Sequence, residues 1–342
     1  MLYMEELLDA IIAEEGQTLM GLDFLIETLD LPMKKIDLLF KKALSEYSER
    51  RPMKKTTIIN NFDYMDGDGS NGYIMMPEGT TSCRVARYGV LPNQMPRYYM
   101  PKFGEQNVEF DITTRTCRVW PPVTPLRLTY TQRFSTTTNV LIEKIIDIPY
   151  ETDEYDFMLP TYFAGKSLSI QKNVSYRDPD TGKWEAKVLS MQPTGYTNEI
   201  QTLEGDVVQE AILKGTLGRG TVNLKTREVN LQFVDESTAP LIINYYPKYS
   251  VVKELDIGNY LFTKIFACKI ITALASLRAQ VSQEKLHNLD LTVDNLVNRA
   301  AELKKEIREL GRSTFSFADA APFYSCLLLG FRLFTCAKKL IY

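Results

Sequence analysis

Between Thr56 and Tyr249 the chain drops the three-to-four-residue apolar spacing of a helix. It alternates apolar and polar residues in short runs instead, broken by Gly, Pro, Asn and Asp. Such a stretch can bury its apolar side chains only by pairing strands into sheets, and that limits the fold more than any other feature. The clearest hairpin is TVNLKTREVNLQF, where Val222, Leu224, Val229, Leu231 and Phe233 alternate about a turn at Lys225–Glu228. A second turn is expected at RDPDTGKW, where Pro179, Asp180 and Gly182 separate Val174 from Trp184. Arg118–Trp120 and Leu126–Tyr130 read as strands divided by Pro121, Pro122 and Pro125. Prolines at that density predict irregular or edge strands over 90–125.

Helical spacing governs both flanks. Leu7, Leu8, Ile11 and Ile12 form one stripe ending near Gly16. A second helix is expected from Thr18 to Asp30, and a third follows Pro32, with Ile36, Leu39, Phe40 and Ala43 inward and Pro52 at its end. After Pro247 an apolar helix spans Ile257–Ala279. A further helix, capped by Thr292 and ending at Gly311, repeats Val293, Leu296, Ala300, Leu303, Ile307 and Leu310 at three- and four-residue steps. That is almost three heptads, enough for a helical hairpin with its predecessor. The expected class is therefore α+β: a central, mostly antiparallel β-domain, sandwich or barrel-like, with short N-terminal helices and a C-terminal helical hairpin. The implied division is 1–55 helical, 56–250 β-rich, and 251–342 helical with an apolar tail.

The chemistry-bearing residues are sparse. The only histidine in 342 residues is His287, expected on a surface loop. The five cysteines (Cys83, Cys117, Cys268, Cys326 and Cys336) never fall as CxxC and read as reduced, small hydrophobes. In DYMDGDGSNGY the carboxylates and hydroxyl Asp66, Asp68 and Ser70 imitate a calcium loop. However, Asn71 stands where that loop needs glycine, and Pro77 where it needs a bidentate glutamate. The glycines of GTLGRG (Gly215, Gly218 and Gly220) lead into a hairpin, whereas a phosphate cradle leads into a helix. Glu151, Asp153, Glu154 and Asp156 share one polar stretch, read as solvated rather than as a paired-carboxylate site. Lys41, Lys42, Arg50, Arg51, Lys54 and Lys55 gather around a helix end, whose orphan carbonyls favour cations. With a net charge of -3, no chain-wide attraction to nucleic acid is expected. No catalytic, cofactor or metal residues are assigned. The chain opens on an acidic amphipathic stretch with no signal peptide expected. Ser325–Ala337 is too short, and too interrupted by Arg332, for a membrane span.

Three stretches carry a resemblance. Lys35–Asn60 joins a helix to a strand through the phrase AL-x-E-Y-S-x-x-R-P, and GYIMMPEGTTSCRVARYGV then gives two further strands. The hairpin GTVNLKTREVNLQF and the helical pair Ile257–Ala279 with Thr292–Gly311 complete the pattern. Together these resemble the neck, or head-to-tail connector, proteins of tailed bacteriophages, and some baseplate proteins. The first helices, the Pro-rich 91–125 and the chain after Phe315 depart from that pattern. The resemblance implies a virion protein, assembled in the host bacterial cytoplasm and arranged as a homo-oligomeric ring, possibly a dodecamer, between portal and tail. Its partners would be portal or adaptor and tail proteins, with genome DNA at most passing through the channel and no membrane involved. A baseplate or tail component is the alternative, followed by a wall-degrading enzyme or a glycan-binding tail module. The residues expected to make assembly contacts are Phe323, Tyr324, Leu327, Leu328, Phe331 and Phe334, then Tyr98 and Tyr99. Aromatic and aliphatic side chains of this kind anchor interfaces.

Overall fold

The computed structural model describes residues 1–19, 22–29, 31–88, 105–120, 122, 124–177, 180, 183–201, 207–280 and 293–313. The chain opens with β1 (Leu2–Tyr3), α1 (Met4–Glu15), α2 (Leu22–Thr28) and α3 (Met33–Arg50). Then come β2 (Met53–Ile59), β3 (Tyr64–Met65), β4 (Gly72–Met75), β5 (Thr80–Tyr88), β6 (Glu105–Asp111), β7 (Thr116–Trp120) and β8 (Leu126–Gln132). The next strands are β9 (Ile142–Ile146), β10 (Glu154–Met158), β11 (Ser169–Arg177), β12 (Trp184–Gln201), β13 (Val207–Gly215), β14 (Gly218–Asn223), β15 (Glu228–Phe233), β16 (Leu241–Tyr245) and β17 (Val251–Val252). Two helices close the described chain, α4 (Tyr260–Arg278) and α5 (Val293–Ser313). The class is α+β. Its strands form two large sheets in two compact units, which cut across the divisions at 55 and 250.

Unit 1 comprises residues 1–18, 32–41 and 135–258. Its eight-stranded antiparallel sheet runs β10-β15-β14-β13-β12-β11-β16-β9 and curls into a half-barrel. The alternation read in sequence is what curls inward: Val222, Val229, Leu231 and Phe233 all reach the core, beside Leu213, Met191, Ile170 and Ile243. The β14–β15 turn is fixed by Asn223, whose Oδ1 accepts from the amides of Lys225 and Thr226, while Arg227 takes a positive φ. All three glycines in GTLGRG sit where a Cβ would meet a backbone carbonyl. A Cβ on Gly215 would run into the Ser190 carbonyl, and one on Gly218 into that of Gln232. α1 is tied to the half-barrel through Glu5, which accepts from the Thr161 hydroxyl and the Tyr162 amide, and through the Asp9–Arg227 ion pair.

Unit 2 comprises residues 19–31, 42–134 and 259–342. Its seven-stranded sheet runs β2-β8-β5-β6-β7-β4-β3. Ile74, Cys117, Val119, Leu126, Leu128 and Tyr130 form its core. β6 and β7 each have a neighbour on both sides, which corrects the edge-strand half of the expectation of irregular or edge strands over 90–125; residues 89–104, 121 and 123 lie outside the described residues. The described prolines at 122 and 125 lie in the connection to β8 and so remove no ladder hydrogen bond. α4 and α5 form the expected pair, burying Leu296, Ala300, Leu303 and Ile307. α2 is shorter than the expected Thr18–Asp30, because Thr18 and Leu22 are held in turns by the carbonyls of Glu15 and Leu19. α5 continues two residues past Gly311, since glycine permits a helix end without requiring one. α4 is long and apolar enough to cross a membrane, but 67% of its most apolar window is buried within the protein.

The phrase AL-x-E-Y-S has a structural explanation in unit 2. Leu44 is buried. Glu46 pairs with Lys269 at 2.7 Å and with Arg50 at 2.9 Å. The Tyr47 ring packs against Phe134 and Phe262, and its hydroxyl accepts from Asn259 Nδ2 at 2.7 Å. Asn259 in turn caps α4 by accepting from the Phe262 amide. The Ser48 hydroxyl donates to the Leu44 carbonyl and accepts from the Phe134 amide at 3.1 Å. We expect Tyr47→Phe, which loses only the cap contact, to cost about 1 kcal/mol. Tyr47→Ala should cost about 3–5 kcal/mol, as an aromatic core truncation does. Urea titration of both variants, followed by circular dichroism, tests this; equal losses would mean that the hydroxyl, not the ring, carries the contact.

Candidate functional site

All eight residues expected to make assembly contacts (Tyr98, Tyr99, Phe323, Tyr324, Leu327, Leu328, Phe331 and Phe334) lie outside the described residues. So do His287, Cys326 and Cys336. Cys83, Cys117 and Cys268 are free and buried, as expected of small hydrophobes. The Asp/Gly loop forms a turn between β3 and β4, where the Asn71 amide donates to Asp66 and to Ser70 Oγ. Among the described residues no group of three His, Cys, Asp or Glu could hold a metal ion. Glu154 and Asp156 share one face of the edge strand β10, in a polar row with Gln232 and Arg219. Arg219 donates to Gln232 Oε1, and Gln232 donates to Glu154 at 2.8 Å. Half of the basic run is held by its own helix and neighbours: Lys41 pairs with Asp37, Arg50 with Glu46, and Arg51 donates to the Leu310 carbonyl.

The feature with reach is β12. It has 18 residues, twice the length of β11 or β13. β11 pairs with β16 only over Ser169–Lys172, so Asn173–Arg177 with Trp184–Val188 form a two-stranded ribbon. At the other end β13 pairs with β14 only from Glu210, leaving Val207–Gln209 with Glu199–Gln201 as a second ribbon. Both carry exposed apolar side chains: Trp184 is 74% and Val188 57% exposed on the first, Ile200 45% and Val207 63% on the second. Pro193 causes the break between the two halves of β12. It has no amide to donate, so the ladder shifts register between Pro193 and Thr197, and Gly195 takes φ +90°. Lys166 Nζ donates to the Thr194 carbonyl, which the bulge frees. A run longer than its partners, with Thr197, Glu199 and Gln201 making one face wholly polar, is the sequence signal that marks the second ribbon.

A groove of about 470 Å³ opens at the foot of this second ribbon. Phe163, Ala164, Pro193, Ala211 and Leu224 give it an apolar lining, and Tyr196, 76% exposed, stands beside it. Its charged lining residues are Lys166 and Lys248. Tyr162 is held there by donating its hydroxyl to the Lys225 carbonyl and packing edge-on against Tyr249, with the Arg227 guanidinium over its ring. Unit 2 presents a different face. Tyr64, Tyr73, Arg118 and Glu109 are cross-strand neighbours in one row, with the tyrosine rings stacked at 4.5 Å. Arg118 lies over Trp120 and donates to Asn71, and the row borders a depression of about 540 Å³ together with Asp111, Thr114 and Thr116.

Comparison with protein-family models, with curated proteins and with solved structures returns no match.

One buried acid underlies the groove's support. Glu5 is 1% exposed, and burial pushes its carboxyl above the ordinary value of 4.5, against the hydrogen bonds from Thr161 and Tyr162 and the charge of Arg227. Burial pushes the hydroxyl of nearby Tyr245 up as well. Between 4.5 and the raised value the folded chain holds a proton that the unfolded chain has lost. Stability from this group therefore falls as pH rises through that window. Glu5→Gln is expected to flatten that fall and to melt higher than the parent above it. Melting temperatures measured from pH 4 upward would show this, and parallel curves for the two proteins would refute it.

Proposed function

We propose that the chain is a structural subunit of a virion, occupying the ring that joins portal and capsid to the tail of a tailed bacteriophage. The observation that carries this reading is the pair of β-ribbons, which take exposed apolar side chains past the limits of their own sheet. Exposed apolar groups on projecting segments are what a subunit uses to reach its neighbours. The resemblance in Lys35–Asn60, in the β14–β15 hairpin and in the α4–α5 pair supports the position in the neck, with portal or adaptor and tail proteins as partners. The role is mechanical: the half-barrel core holds the bases of both ribbons, and the ribbons and terminal segments hold the ring. A ring needs different surfaces on the two sides of each subunit, and a single strand with two unlike ends supplies them. A baseplate or tail position uses the same contacts in another place.

Electron microscopy of particles carrying a labelled chain tests the position, with label expected at the head–tail junction; label at the baseplate selects the alternative. Trp184→Ser with Val188→Ser is expected to leave folding intact and reduce incorporation into particles at least several-fold. A chain ended at residue 314 that folds but no longer assembles would place further contacts in the last segment.

A second reading, a glycan-binding tail module, draws on the Tyr64–Tyr73 row. A sugar ring can lie against an aromatic face while its hydroxyls bond to Glu109, Asp111 or Arg118. Arg118 already covers one face of Trp120, so the tyrosines are the better platform. Under this reading Tyr64→Ala abolishes retardation in gels containing neutral polysaccharide. No retardation of the parent protein removes the reading.

A further inference from the structure

We infer that the groove at the foot of the second ribbon receives the acidic β12–β13 ribbon of another copy of this chain. The inference rests on the proposal that the chain assembles with copies of itself. Charge points to the occupant. In the described ribbon, Glu199–Gln201 with Val207–Gln209, the one charged residue is Glu199, on the face it shares with Val207. The charged side chains lining the groove are both lysines. Opposite charges meeting across an interface steer encounter and fix register, while like charges there are costly.

Shape points the same way. Gln201 pairs with Val207 and Glu199 with Gln209, so Val207 and Glu199 are diagonal neighbours on one face of the ribbon. An aliphatic anchor and a carboxylate therefore arrive together, matching an apolar lining beside Lys166 and Lys248. The groove has the volume of an ordinary ligand site, about 300–1,000 Å³, enough for an aliphatic side chain and its neighbours. The ribbon cannot enter the groove of its own molecule. Thr197 and Ala211 line the groove and are themselves a strand pair from which the ribbon leads away. Two paired, extended strands do not double back within two or three residues, so the occupant comes from another molecule. Ribbon into groove joins unlike surfaces, and repetition of that contact makes a ring or a filament.

Sedimentation velocity over a concentration series, on the full chain, tests the contact with charge reversals. Lys166→Glu with Lys248→Glu, and separately Glu199→Lys, should each weaken self-association by about tenfold or more. Mixing the two variants, or combining all three changes in one chain, should restore it, an outcome that misfolding cannot imitate. Reversed variants that associate as tightly as the parent overturn this contact and leave the assembly role standing. Weakened variants that do not recover on mixing also overturn it. A parent chain that stays monomeric at every concentration overturns the contact and the self-assembly reading together.

Discussion

The fold depends on one mismatch of length. β12 runs for 18 residues, about 60 Å at roughly 3.3 Å per residue, while its neighbours run for nine each. No single pair of short strands can satisfy so long a ladder. β11 takes one end, β13 takes the other, and the handover falls near Met191, which pairs with both Ile170 and Gly215. Beyond each handover the paired strands leave the core and become ribbons. The half-barrel is thus a core with two built-in projections, and the groove lies at the foot of one of them.

Much of this was legible in sequence because the signals were local. Val222, Val229, Leu231 and Phe233 alternate, and a period of two admits a strand and little else. Leu296, Ala300, Leu303 and Ile307 repeat at helical steps and lie buried as a stripe. What local pattern cannot report is partner choice. The division into two units at Phe134 and Ser135 follows from which strands pair, and the sequence carries no composition shift there. The interior position of β7 is hidden for the same reason: prolines close behind Trp120 suggest an edge, although they follow the strand's last residue. Pro193 and Gly195 stood in plain view, yet their effect, a re-aimed ribbon, appears only once β13 is known to lie alongside.

The phrase AL-x-E-Y-S shows what a sequence resemblance can mean physically. Its glutamate pairs with α4, its tyrosine holds the residue that caps α4, and its serine receives the chain returning at Phe134. Leu44, Glu46, Tyr47 and Ser48 each make a contact within the fold. A pattern of that kind carries architecture from one protein to another more faithfully than activity, because the contacts it specifies are internal.

An open half-barrel has two unfinished margins, β9 and β10, each with a line of backbone donors and acceptors facing outward. On β10 that line is bordered by Glu154 and Asp156, two of the carboxylates that could be mistaken for catalytic acids. Two copies meeting along this margin would bring four negative charges together where a sheet most readily extends itself. The acids thus act as insulation. They keep the sheet from growing by its border, so that under the proposed assembly association is left to the ends of a single long strand, where number and direction can be controlled.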